Sequence, residues 1–181
     1  MPSILDYFTG AVGSAESPQV GVVPVARLQI YTDGACVGNG SRRARAAYAV
    51  VIFKDGREVQ AMAEPLRPTE THTNQRAELW AVLRAMEIAA ASEEGADIHT
   101  DSKYTMDCLQ EWAARWAAKG WRKADGDPVL NQDILRPMWE MWKCRGSKMR
   151  LFHVSAHTGR MDAHSRGNER ADGLATGALR L

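Results

Sequence analysis

Four carboxylates, spread over more than half of the chain, each sit in a short context suited to one shared task. Asp33 lies in Tyr31-Thr32-Asp33-Gly34, and Glu78 in Thr73-Asn74-Gln75-Arg76-Ala77-Glu78-Leu79. Asp101 lies in Thr100-Asp101-Ser102, and Asp172 in Asn168-Glu169-Arg170-Ala171-Asp172. Their separations are too wide for a salt-bridged helix face, so only a fold that returns distant segments to one point can use them together. Magnesium suits such a gathering, because it takes oxygen ligands, keeps several waters, and is held by a few carboxylates plus substrate phosphate. Each acid also has an ordinary reading by itself. Asp33 could close a turn, Asp101 cap a helix, Glu78 favour a helix dipole, and Asp172 face solvent. All four being incidental is the poorer account.

The local patterns supply the fold that would gather them. Residues 1–27 hold a short apolar-aromatic patch, Ile4-Leu5-Asp6-Tyr7-Phe8, and then a run rich in Gly, Ser and Pro. That composition predicts a flexible N-terminal segment, with the folded domain over 28–181. Leu28–Thr32 is an apolar run ending at Asp33. Ala46–Phe53 and Glu58–Ala63 flank the turn signal Lys54-Asp55-Gly56 and predict a hairpin. Thr73–Ala91 is the clearest helix, with Leu79, Leu83, Met86 and Ala90 on one face and Thr73 or Asn74 as cap. Ala96–Thr100 predicts a strand stopping at Asp101. Ser102 would cap a helix running to Lys119, ended by Gly120. Asn131–Lys143 predicts a helix with Pro137 inside it, Met149–Ala156 a strand, and Asn168–Ala178 the last helix. This order predicts an α/β domain with a mixed sheet flanked by helices. Sites in such sheets form beyond the carboxyl ends of strands, where Asp101 and Glu78 fall.

A length of 181 residues predicts one domain with a short appendage. The net charge is only +1, so composition does not announce a polyanion partner. The distribution is more telling. Residues 141–150 carry four cations and no acid, and Arg42, Arg43 and Arg45 form a second cluster; either could be a nucleic-acid contact or solvated surface. Cys36, Cys108 and Cys144 are odd in number and widely spaced, as in reduced thiols of an intracellular protein. No apolar run approaches the roughly 18 residues of a membrane span, and the start lacks signal-peptide character. The expectation is a soluble monomer of cytoplasm or nucleus.

Five blocks of the chain together resemble type 1 ribonuclease H, across about residues 28–178. They are Tyr31-Thr32-Asp33-Gly34-Ala35-Cys36-Val37-Gly38-Asn39, Thr73 to Leu79, Thr100-Asp101-Ser102-Lys103-Tyr104, Asn168 to Asp172, and Trp116-Ala117-Ala118-Lys119-Gly120-Trp121-Arg122-Lys123-Ala124-Asp125. The last is similar to the family's substrate-gripping handle. The resemblance implies the ribonuclease H-like fold with a five-stranded mixed sheet. It also implies endonucleolytic hydrolysis of the RNA strand of RNA–DNA hybrids with two Mg2+ ions (Mn2+ a substitute), giving 5′-phosphate and 3′-hydroxyl ends. By position, Asp33, Glu78, Asp101 and Asp172 match the metal-binding tetrad, and His157 matches the mobile histidine that assists turnover. Asn39 and Gln75 match contacts to the ribose side, Thr73 and Asn131 a pocket for a DNA phosphate, and Asn74 and Trp121 neighbouring substrate positions.

Two departures stand out. The stretch from His157 to Asn168 is longer than in the bacterial and animal relatives, which makes His164 a competing histidine. The handle carries Ala113, Ala114, Ala117 and Ala118 where many relatives have cations, leaving Arg115, Lys119, Arg122 and Lys123. Trp112, Trp116 and Trp121, near helical spacing, read as packing for that handle rather than as stacking platforms.

The chemistry is consistent with these residue types. Phosphodiester hydrolysis needs an activated water, charge stabilisation and a supported leaving oxygen, which a pair of metals about 3.5–4 Å apart supplies. Four acids cannot crowd together without such cations. Asp33 is the candidate bridge between them, Asp101 completes the nucleophile side, and Glu78 and Asp172 the leaving-group side. Histidine, with an ordinary pKa of about 6.5, suits a proton carrier. Distinguishing RNA from DNA requires reading a 2′-hydroxyl that both donates and accepts, which side-chain amides do. A zinc site from His153, His157, His164 and Cys144 lacks the short paired ligand spacing zinc sites use. A catalytically silent hybrid-binding module, or another nuclease on the same fold, is the alternative; the intact tetrad, the handle and Asn39 argue against both. Finally, Ile4, Tyr7 and Phe8 resemble the aliphatic-spacer-aromatic peptide that docks replication proteins on a sliding clamp, with Met1 where the usual glutamine stands.

Overall fold

A five-stranded mixed sheet carries the chain, in a computed structural model that describes residues 26–155 and 162–180. Strands β1 (Leu28–Val37), β2 (Arg45–Lys54) and β3 (Arg57–Pro65) run as an antiparallel meander. Strands β4 (Ala96–Thr100) and β5 (Met149–His153) add parallel to β1, in the order β3-β2-β1-β4-β5. The β2–β3 hairpin closes at Asp55 (φ 51°) and Gly56 (φ 75°), the positive-φ pair that a tight two-residue turn needs. Strand β1 is central and continues through Asp33, because Asp33 and Gly34 still pair with Ala49 and Tyr48 of β2.

Alternation along β1 divides the core into two layers. Ile30 joins the main core against helix α1 (Asn74–Ala91), whereas Tyr31 packs with Val51 and Ala171 under helix α5 (Ala163–Ala178). The buried face of α1 alternates small and large residues, with Ala77, Ala81, Ala85 and Ala89 among Leu79, Val82 and Met86, so the helix lies close to the sheet. The closest approach is at Gly34. A Cβ there would stand 2.3 Å from the Glu78 nitrogen and 2.6 Å from the Ala77 carbonyl carbon.

Three helices differ in their boundaries from the sequence expectation, and β1 runs on to Val37 while β5 stops at His153. The helix expected from Ser102 to Lys119 is α2 (Lys103–Asp107), a π turn (Cys108–Trp112) and α3 (Ala113–Ala118), ending at Gly120 (φ 64°). Helix α4 (Gln132–Lys143) starts after Asn131, which is left-handed at φ 57°. Helix α5 begins five residues before the expected Asn168. Asp162 caps it by accepting from the Ser165 backbone N–H at 2.9 Å, and Gly167, a poor helix former, is accommodated by contact with Tyr31. Among the described residues no helix is long and apolar enough to cross a membrane. Ile4, Tyr7, Phe8 and His157 lie outside the described residues.

Candidate active site

Strand register brings the first two acids together. Thr32 of β1 is level with Thr100 of β4, so Asp33 and Asp101 occupy the next positions on neighbouring chains. Glu78 stands on the second turn of α1, held over β1 by the Gly34 contact. Asp172 descends from α5 on the opposite side. Asp33 is 9% exposed, and its carboxyl pKa is pushed up to about 8. Burial is the main cause, followed by the charges of Asp101, Asp172 and Glu78. Segments 139 residues apart in sequence (33 to 172) thus act on one carboxyl group.

Neighbouring polar groups orient Glu78 and Asp101. Glu78 accepts from the Asn74 side-chain nitrogen at 2.6 Å and from the Ser102 hydroxyl, while burial raises its carboxyl pKa. Ser102 also caps α2 by accepting from the Thr105 N–H at 3.2 Å. Asp101 accepts from the Asn168 side-chain nitrogen at 3.1 Å. Ser102 as an orienting group was legible only as a cap, and Asn168 only as part of a motif. The available signal was that Asn168 stands one helical turn before Asp172.

The acids do not close into a cage. Among the described residues, no three His, Cys, Asp or Glu side chains converge as a ready-made metal site. Magnesium does not need a closed cage, because it reserves positions for water and phosphate oxygens. The strongly raised pKa of Asp33 fits as well, since a cation would relieve the repulsion that keeps it protonated.

Beside the acids, Asn39 in the β1–β2 loop accepts from the Asn74 backbone N–H at 3.3 Å, tying that loop to the start of α1. Gln75 is exposed on the first turn. Thr73 caps α1 through the Arg76 N–H at 3.2 Å. Buried Arg76 reaches Asn131 at 3.4 Å, Asp133 at 2.5 Å and Glu70 at 2.8 Å, which brings the start of α4 alongside the start of α1. Thr73 and Asn131 are therefore both tied to Arg76, the first through its backbone N–H and the second through its guanidinium. Trp121 is 8% exposed within the core, with Arg136 over its ring at 5.7 Å. It backs the handle from inside and leaves little surface for a substrate. Trp112 and Trp116 pack together at 5.6 Å between their ring centres.

A family profile described as RNase H matches residues 26–180, a span that includes all of the described residues. The chain belongs to the RNase H family. It is 36% identical over 151 residues to "Ribonuclease H" of Novosphingobium aromaticivorans, covering 83% of this chain and 95% of that protein. It is 34% identical over 154 residues to "Ribonuclease HI" of Caulobacter vibrioides, covering 85% and 93%. Among solved structures, the solution structure of the PFV RNase H domain overlays with a TM-score of 0.71 at 21% identity, over 86% of this chain and 95% of that one. LC9-RNase H1 overlays with a TM-score of 0.64 at 23% identity, over 87% and 74%. These two share the fold. In this RNase H chain the competing histidine makes a contact of its own. His164 is the second residue of α5, and its Nδ1 meets the Tyr31 hydroxyl at 3.0 Å. Its ring lies 4.6 Å from that of His99, so it anchors the helix start to the sheet.

Proposed function

We propose that this chain hydrolyses the RNA strand of RNA–DNA hybrids as a divalent-metal-dependent endonuclease, leaving 5′-phosphate and 3′-hydroxyl ends. The observation that carries the reading is Asp33, whose carboxyl feels all three of Asp101, Asp172 and Glu78 at the centre of an RNase H sheet. These four would hold two magnesium ions, with manganese as substitute; when bound, the metals supply the activated water and the charge stabilisation of the transition state. The chain's own groups do the rest. Asn74 and Ser102 fix the Glu78 carboxylate, and Asn168 fixes that of Asp101. Asn39 and Gln75 offer amides to the ribose 2′-hydroxyl, and Thr73 and Asn131 receive a phosphate of the DNA strand. His157 carries a proton during turnover. The enzyme works as an intracellular monomer.

A 5′-labelled hybrid, the matching RNA duplex and the matching DNA duplex, each with magnesium and with chelator, test this. Cleavage of the hybrid RNA strand alone, abolished by chelator, is expected. Hybrid binding without cleavage at any magnesium or manganese concentration would favour a silent hybrid-binding module.

A further inference from the structure

Asn168 is 3% exposed and lies one turn before Asp172 on α5. Its side-chain N–H donates to Asp101 Oδ2, and its carbonyl oxygen is buried with no hydrogen-bond partner among the described residues. The amide's orientation follows from chemistry, since the flipped form would set a carbonyl against a carboxylate. For folding alone asparagine is a poor choice here. It is a weaker helix former than alanine, and it buries an acceptor left unpaired. What it supplies is the hydrogen bond to Asp101.

The height of α5 makes that bond reachable. A Cβ on Gly167 would stand 2.6 Å from three carbons of the Tyr31 ring. That ring cannot readily yield, being stacked on His99 at 4.8 Å and edge-on to Phe53 at 5.6 Å. Glycine therefore seats the helix directly on β1, and the next residue reaches across to the end of β4.

We propose that Asn168 is a positioning residue: seated by the Gly167–Tyr31 contact, its side-chain N–H holds the Asp101 carboxylate in the orientation that metal binding and hydrolysis require. The inference rests on the hybrid-cleavage reading above. Its test compares full-length wild type with Asn168→Ala. Thermal melting and hybrid affinity in chelator should stay close to wild type. Meanwhile kcat, with little change in KM, and calorimetric Mg2+ affinity without hybrid should each fall about 10–100-fold. A kcat and Mg2+ affinity within about threefold of wild type would overturn the proposal. Should Asn168→Ala fail to fold, Asn168→Leu, which keeps the volume and cannot donate, decides by the same readouts. If neither variant folds, the role is structural and the proposal fails. Wild type inert toward hybrid would count against the proposed activity instead, and equal Mg2+ affinities of wild type and variant would then sink the positioning role.

Discussion

Asp33 carries an acid–base consequence that can be measured without substrate. Its folded-state pKa, about 8, lies above the ordinary 3.8, so the unfolded chain releases this proton first as pH rises. Between about pH 4 and 8 the group therefore makes the metal-free fold less stable as pH rises, with a slope of up to about 1.4 kcal/mol per pH unit. Asp33→Asn should remove that slope, so the variant melts higher than wild type at pH 8 in chelator and with little difference near pH 4. The same variant should bind hybrid but lose more than about 100-fold in cleavage, since an amide cannot supply the carboxylate charge that a bound cation would need. Melting curves across pH and single-turnover cleavage check the two arms. Cleavage within tenfold of wild type, about 1.4 kcal/mol, would remove Asp33 from the chemistry. At the same scale the two histidines separate. His164→Ala breaks the contact to Tyr31 and should cost about 1 kcal/mol of stability with turnover nearly unchanged. His157→Ala should lower kcat while leaving the melting temperature alone. The reverse pattern in steady-state kinetics would transfer the proton role to His164. The four acids were legible because each has a distinctive neighbour sequence. His164 was not, because a helix seated on Tyr31 leaves no local mark beyond a glycine where helix formers are expected.

Two glycines show how elements are brought into the site. Gly34 lets α1 lie against β1, and Gly167 lets α5 lie against Tyr31 from the other side. Neither position has positive φ, so the requirement is space and not backbone conformation. Gly167→Ala isolates the effect, because the helix-propensity gain and the packing loss have opposite signs. Propensity alone would stabilise α5 by about 1 kcal/mol. Overpacking on the held Tyr31 ring should outweigh it and give net destabilisation of about 1–3 kcal/mol, with weaker magnesium binding as α5 lifts Asn168 and Asp172. Denaturant unfolding and calorimetry read both; a stabilised variant would show that the ring yields. Most element types followed from their periodicity and turn signals, as for the β2–β3 hairpin and β4. The π turn at Cys108–Trp112 and the early start of α5 did not. The first depends on how Cys108, Leu109 and Ala113 enter the core, and the second on a cap at Asp162 whose worth depends on what the helix then covers.

Across the molecule, the charges sort by their distance from the acids. The basic run 141–150 lies at the start of β4 and β5, the far end of the sheet from Asp101. Its cations are already engaged: Lys143 with Glu140, Arg145 over Trp142 at 3.8 Å, Lys148 with the Ser92 carbonyl, and Arg150 with Asp97. In the handle, Lys123 pairs with Asp125 and Asp127 and Arg122 donates to the Gly126 carbonyl at 2.8 Å, which leaves Arg115 and Lys119 exposed beside Trp116. Charge reversal of Arg115 and Lys119 should therefore weaken hybrid binding more than reversal of Lys143 and Lys148. The dependence of binding on salt should be shallow, because the slope counts neutralised phosphates at about 0.9 each. Equal losses from both pairs, read by anisotropy over a salt series, would show that the handle is not the principal grip. The N-terminal segment bears on the whole molecule in another way. If Ile4, Tyr7 and Phe8 dock on a sliding clamp, tethering raises the local concentration of enzyme on replicating DNA. A peptide of residues 1–12 should bind the cognate clamp with modest affinity and lose it on Tyr7→Ala/Phe8→Ala. No binding at about 300 μM, weaker than about 5 kcal/mol, would remove the idea.

The sequence by itself determined the element order, the four candidate acids and the family, because strand and helix periods, turn residues and motif spacing are local properties that survive without tertiary context. Only the tertiary structure decided which polar groups orient those acids and which cations remain open to a partner. It assigned Ser102 and Asn168 to Glu78 and Asp101, moved His164 from a loop to an anchor on Tyr31, drew Trp121 into the core, and occupied the basic run at the far end of the sheet. Such pairings join residues dozens of positions apart, and they depend on register and on the height at which helices rest on the sheet, which no single segment encodes.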